Sequence, residues 1–227
     1  MITGAIFDVD GTLLNSMYVW DNAGEWYLEG MGIEAEPGLG AVLYPMTMED
    51  GAGYLQEHYG LRMSLNEIIK GIQRTVEDFY RFRVQPKEGT EDFLYQLWEK
   101  KIPMGIATSS PRQPVEEALR RLGLWKYFTV MITCSEAGAG KDKPDVYEQV
   151  RERLGTDRES TWVFEDAPFA AVTAAQAGFP VGGIYDSSSR EQQEELRSVS
   201  RIYLPNFKDF SSFYDRAAAN MGKGEGV

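Results

Sequence analysis

Short apolar runs that end in a polar or turn residue recur along this chain. Ala5-Ile6-Phe7 ends at Asp8, and Met104 to Ala107 ends at Thr108. Val130 to Thr133, Trp162-Val163-Phe164 ahead of Glu165-Asp166, and Val181 to Tyr185 ahead of Asp186 have the same form. Each has the length of a strand and is apolar throughout, as in a sheet buried on both faces. Arg201 to Leu204 predicts a sixth strand, at the sheet edge. Helical spacing lies between the runs. It is carried by Phe93-Leu94, Leu97 and Trp98 within Glu91 to Lys100, by Val115, Leu119 and Leu122, and by Val146, Val150 and Leu154. Ala170 to Ala177 is alanine-rich, and Gly178 can stop it. Ser110-Pro111-Arg112-Gln113 predicts a capping box with proline at the first helical position. From about residue 86 onward, strand and helix alternate, which predicts an α/β fold: a doubly wound parallel sheet with helices on both faces.

Residues 15–85 break that alternation. Stripes at Trp20, Trp26-Tyr27, Ile68-Ile69, Ile72, Val76 and Phe79-Tyr80 predict helices, punctuated by Gly30-Met31-Gly32 and Pro37-Gly38. The predicted organisation is a core of residues 1–14 and 86–227, with a helical domain of residues 15–85 inserted after the first strand as a cap. The tail from Met221 to Val227 is expected to be frayed.

A length of 227 residues suffices for one well-buried core and a small accessory domain. The formal net charge of −12 disfavours nucleic acid and anionic membranes as partners. An anionic substrate would therefore need a local positive field from a metal ion or a lysine. No apolar run is long enough to span a bilayer. The single cysteine, Cys134, excludes an internal disulfide. With no signal-peptide pattern at Met1-Ile2-Thr3-Gly4, it points to a cytoplasmic setting. A monomer is expected.

Asp8-Val9-Asp10-Gly11-Thr12 directly follows the first strand. Two carboxylates two residues apart at a strand end can face one ligand, and Gly11 permits the sharp turn. A hard cation such as Mg²⁺ takes oxygen ligands of this kind and keeps substrate phosphate in its shell. A calcium-binding helix-loop-helix does not fit, because Thr12 and Leu13 stand where that loop needs Asp or Asn and then Gly. Gly138-Ala139-Gly140-Lys141 is not a P-loop, since neither Ser nor Thr follows the lysine. His58 is the only histidine and is expected on the surface of the inserted domain; Cys134 reads as a small core residue.

Asp8-Val9-Asp10-Gly11-Thr12-Leu13 resembles the first motif of the haloacid dehalogenase-like hydrolase superfamily. Thr108-Ser109 resembles its second motif. Gly140-Lys141-Asp142-Lys143-Pro144-Asp145 resembles the third, with Lys141 in the lysine position and Lys143 close enough to compete for it. Phe164-Glu165-Asp166, followed by Ala174-Ala175-Gln176-Ala177-Gly178, resembles the fourth, although Ala167 and Ala170 stand where Ser and Gly often occur. The insertion resembles the helical-cap branch that includes the β-phosphoglucomutase-like and phosphoglycolate-phosphatase-like proteins.

The resemblance implies roles. Asp8 would be the nucleophile that forms an aspartyl phosphate, and Asp10 the general acid and base. Thr108, with the Ser109 N–H, would bind the phosphate, and Lys141 would neutralise its charge. Asp8, the Asp10 backbone carbonyl, Asp166 and Glu165 would hold Mg²⁺. The implied activity is a phosphatase acting on a small phosphate ester, with a β-phosphoglucomutase-like mutase as the alternative. Residues 40–60 contain no Lys or Arg to hold a second phosphate, which favours the phosphatase. No lysine occurs in residues 1–69, so a Schiff base from the cap, as in phosphonate cleavage, is disfavoured. Met17, Tyr18, Trp20, Met46, Thr47 and Met48 are candidate substrate contacts.

Overall fold

A computed structural model describes residues 2–221. The six expected runs form strands: β1 (Gly4–Phe7), β4 (Met104–Thr108), β5 (Val130–Thr133), β6 (Thr161–Glu165), β7 (Val181–Ile184) and β8 (Ile202–Leu204). They build one parallel sheet in the order β5-β4-β1-β6-β7-β8, so the predicted sixth strand is an edge strand. β1 lies in the interior, with Phe7 opposite Ile106 on one side and Phe164 on the other. The strand direction and the order of the motifs thus bring the chain after β1, β4 and β6 to one edge, the carboxyl edge, where ligands bind in open α/β sheets.

Alternation along β1 sends neighbouring side chains to opposite faces. Phe7 stacks on Phe164 at 4.5 Å between ring centroids and joins Phe93, Phe207 and Phe213 in an aromatic layer. Ile6 joins Val146, Tyr147, Val150, Val163, Ala171 and Ala174 on the other face. The helices of this unit are α5 (Thr90–Glu99), α6 (Arg112–Arg121), α7 (Cys134–Ala137), α8 (Asp145–Leu154), α9 (Pro168–Gln176), α10 (Gln193–Val199) and α11 (Phe210–Met221). The tail expected to fray lies, from residue 222 on, outside the described residues.

The chain divides into two compact units, Met1–Asn15 with Gln85–Val227, and Ser16–Val84. The second unit holds α1 (Tyr18–Gly30), α2 (Leu39–Leu43), α3 (Met48–His58) and α4 (Leu65–Phe82). A capping box between Ser64 and Glu67 starts α4, which buries Ile68, Ile72, Val76, Phe79 and Tyr80. Gly71 lets α4 approach α1, because a Cβ there would overlap the Tyr27 ring. The α1 stripe differs from expectation. Val19, Ala23, Tyr27 and Leu28 are buried, while Trp20 is 49% exposed. The packing face of α1 is set by its small residues, since a Cβ on Gly24 would overlap Leu43 of α2. Trp20 stands one turn before Gly24 and lines a pocket with Leu43, so it borders that face while half of it stays exposed.

Two short strands were not anticipated. β2 (Leu14–Asn15) and β3 (Gln85–Pro86) pair antiparallel, with Leu14 opposite Pro86. They bring together the two ends of the core unit from which the helical insertion departs.

Candidate active site

Asp8 follows β1, and its N–H extends the ladder to the Phe164 carbonyl at 3.0 Å. Asp166 follows β6, and Glu165 is the last residue of that strand. Parallel pairing of β1 with β6 sets these three carboxyl groups side by side. One oxygen from each of Asp8, Glu165 and Asp166 lies within 4.8 Å of the others, and all three groups are buried. Lys141, in the loop beyond β5, reaches the same point: its Nζ donates to Asp8 Oδ1 and, at 2.6 Å, to Glu165 Oε1. Lys141 is 5% exposed whereas Lys143 is exposed, which separates the two lysines that the sequence left in competition.

Burial, with the like charges of Glu165 and Asp10, raises the Asp8 carboxyl to about 7 against the opposing pull of Lys141. Burial, with Asp8, Glu165 and Asp186, raises Asp166 well above the carboxylate range. Burial alone would lower Lys141, but Asp8 and Glu165 outweigh it and hold the ammonium charged. Glu165 also accepts from Tyr147 OH at 2.8 Å, yet its Oε2 is buried with no hydrogen-bond partner among the described residues. Three buried carboxylates against one lysine, with an orphaned oxygen among them, form an oxygen-only donor set short of positive charge. Such a set fits a hard divalent cation such as Mg²⁺.

Asp166 does not cap the helix after it. Ala167 occupies that position without a side-chain cap bond, and Asp166 instead accepts from Thr12 Oγ1 at 3.0 Å. Gly11 has φ +80°, and a Cβ there would overlap the Asp166 carboxylate, so the first motif needs glycine for two reasons.

Thr108 ends β4, fully buried, and its Oγ1 accepts from the Ser110 N–H at 3.0 Å. The capping box expected at Ser110 is absent. Pro111 is the N-cap residue of α6 and makes no side-chain cap bond. The reason is that the Ser110 hydroxyl is spent elsewhere, donating to Asp10 Oδ2 at 2.6 Å. Ser109 is exposed, and its Oγ lies 3.4 Å from Cys134 Sγ. Cys134 is half-buried at the start of α7. The Asp10 carboxylate is not one of the three clustered carboxyl groups.

Lys87 had no place in the sequence reading. Its Nζ donates to the Gly11 carbonyl at 2.8 Å, the Tyr185 carbonyl at 2.6 Å and Asp186 Oδ2 at 2.6 Å. It ties the loop after β1 to the loop after β7. Ser189 Oγ adds a bond to the Asp166 carbonyl at 3.2 Å. Thr12 stood in the first motif without a role; Lys87, Tyr147 and Ser189 carried no local signal at all.

Within the helical unit, Trp20, Met46, Thr47 and Met48 line one pocket together with Leu43 and Leu55. Thr47 also N-caps α3, accepting from the Asp50 N–H at 3.1 Å. Tyr18 packs edge-on against Phe79 instead, and Met17 is the N-cap residue of α1. His58 is exposed, 3.1 Å from Glu36.

A model of the haloacid dehalogenase-like hydrolase family matches residues 5–184. A phosphorylated carbohydrates phosphatase of Thermotoga maritima is 30% identical over 173 residues, covering 76% of this chain and 80% of the relative. A validoxylamine A 7'-phosphate phosphatase of Streptomyces hygroscopicus subsp. limoneus is 28% identical over 208 residues, covering 89% and 96%. A solved structure from Thermotoga maritima, provisionally assigned as a β-phosphoglucomutase, superposes with a TM-score of 0.82 at 26% identity, covering 94% of this chain and 99% of that one.

Proposed function

We propose that this chain, which belongs to the haloacid dehalogenase-like hydrolase family, is a Mg²⁺-dependent phosphatase that hydrolyses a small phosphorylated metabolite through an aspartyl phosphate on Asp8. The observation that carries the reading is the buried cluster of Asp8, Glu165 and Asp166 with Lys141 bonded into it at the carboxyl edge of the sheet. Asp8, Asp166 and the Asp10 carbonyl would hold the metal, with Glu165 as a further ligand or as the anchor of Lys141. Bound Mg²⁺ would supply positive charge that lowers repulsion between a phosphate dianion and the carboxylates.

The chain's own groups do the rest. The Asp8 carboxylate attacks phosphorus, the bond from phosphorus to the ester oxygen breaks, and the leaving oxygen takes its proton from Asp10. Water then attacks the aspartyl phosphate and gives a proton back to Asp10. Inorganic phosphate leaves and Asp8 is restored. Thr108 and the Ser109 N–H would hold phosphate oxygens, and Lys141 would balance charge on the transferring group. The insertion, residues 15–85, would act as the cap, and Trp20, Met46 and Met48 in its pocket are candidates for contact with the alcohol part of the ester. Two relatives named as phosphatases of phosphorylated small molecules support this substrate class. A cytoplasmic monomer goes with the reading, and a sedimentation mass near 25.6 kDa would agree with it.

The similarity to a structure provisionally assigned as a β-phosphoglucomutase keeps a sugar-phosphate mutase as the second reading. Phosphate release from a panel of sugar phosphates and other phosphorylated metabolites, with and without Mg²⁺, separates the two. Mg²⁺-dependent release that Asp8→Asn lowers by more than about 10³-fold supports the phosphatase. Interconversion of sugar 1- and 6-phosphates without net release overturns it.

A further inference from the structure

We infer that Ser110 is a positioning residue for the acid–base group: its hydroxyl holds the Asp10 carboxyl in the orientation that proton transfer requires. This rests on the phosphatase reading above. Four observations carry it. Ser110 Oγ donates to Asp10 Oδ2 at 2.6 Å. The serine sits where a helix-capping residue was expected, yet α6 starts without a side-chain cap, so the hydroxyl serves Asp10 instead of the helix. Its own backbone is fixed, because the Ser110 N–H donates to Thr108 Oγ1 at 3.0 Å. The two segments are also held in register, since β1 and β4 are hydrogen-bonded neighbours.

One three-residue turn thus links the threonine at the end of β4 to the oxygen of Asp10. The hydroxyl can donate to an ionised oxygen or to the carbonyl oxygen of the protonated acid. It therefore holds one rotamer in both states through which Asp10 passes. A flexible acid–base group loses rate, since misplacement by about 1 Å can cost about 10²-fold.

The test compares Ser110→Ala and Ser110→Thr with wild type on two esters: p-nitrophenyl phosphate and the alkyl phosphate hydrolysed fastest in the panel above. kcat/KM reports the steps up to formation of the phosphoenzyme. An alkoxide needs the proton from Asp10, whereas p-nitrophenolate leaves without it. Ser110→Ala is expected to lower kcat/KM about 10- to 100-fold on the alkyl phosphate and less than about 3-fold on the aryl phosphate. Ser110→Thr, which keeps the hydroxyl, is expected to recover most of the loss. Thermal melts of each variant establish that it folds. Equal loss on both esters, or no loss on either, overturns the role of Ser110 while leaving the phosphatase reading intact. A wild-type protein that releases phosphate from no ester removes the phosphatase reading, and this inference with it.

Discussion

Lys87 and Asp186 stand 99 positions apart and meet at 2.6 Å, with the Asp186 side chain 4% exposed. The same ammonium holds the carbonyls of Gly11 and Tyr185. Lys87→Met would leave a buried carboxylate without its cation, a change that costs about 3–5 kcal/mol. Denaturant unfolding is expected to show a loss of that order. The double variant Lys87→Met/Asp186→Asn should be less destabilised than the sum of the single variants. Additive losses would mean that the pair is not coupled.

Asp8 links stability to pH. Its folded carboxyl is raised to about 7, mainly by burial, while an unfolded aspartate titrates near 3.8. Between those values the folded state holds a proton that the unfolded state has released. The metal-free protein therefore loses stability as pH rises from about 4 to about 7. Asp8→Asn should flatten this slope in thermal melts in EDTA and raise Tm at pH 8. Mg²⁺ should stabilise the wild type more at pH 8 than at pH 5. A metal-free Tm that rises over this range in wild type, with no change in Asp8→Asn, would count against the arrangement.

Gly11→Ala introduces two faults. It puts a side chain at φ +80° and pushes a Cβ into the Asp166 carboxylate. Backbone strain alone costs about 1–3 kcal/mol. Displacement of Asp166 should also weaken Mg²⁺ binding in calorimetry and abolish turnover. Wild-type affinity for Mg²⁺ in a folded Gly11→Ala protein would show that Asp166 does not serve the metal.

Glu136 offers a pH effect away from the site. Arg112 holds it through Nε and a second nitrogen at 2.6 and 2.7 Å, and these bonds lower the Glu136 carboxyl to about 2. A depressed folded value contributes stability that is present above the unfolded value, near 4.5, and is lost as pH falls toward 2. Glu136→Gln should remove part of the acid limb below pH 4.5 in melts with retained turnover at pH 7. The pair is about 40% exposed, so salt should weaken the effect.

The amino-acid sequence by itself determined six strands, the helices α5, α6, α8 and α9 between them and the helical character of residues 15–85, but not the short helices α7 and α10. Apolar spacing depends on neighbours within four residues, and that information is local. It also carried the candidate residues Asp8, Asp10, Thr108, Glu165 and Asp166 at or just after the ends of apolar runs, whereas Lys141, in the loop beyond β5, was legible only through the resemblance of its motif. What only the tertiary structure decided is the partner of each polar group. Thr12 reaches Asp166 across 154 positions and Ser110 reaches Asp10 across 100. These pairs exist because β1 lies between β4 and β6, a strand order that local periodicity does not encode. The two-residue strands at Leu14–Asn15 and Gln85–Pro86 are too short to show a pattern. The close approach of α1 and α2 at Gly24 and Gly40, and the half-exposed place of Trp20 beside it, are likewise set by packing rather than by spacing along α1. Ser110 was misread for a related reason. A hydroxyl ahead of a helix can cap it or bond elsewhere, and the Asp10 carboxylate, brought close by the sheet, is the stronger acceptor.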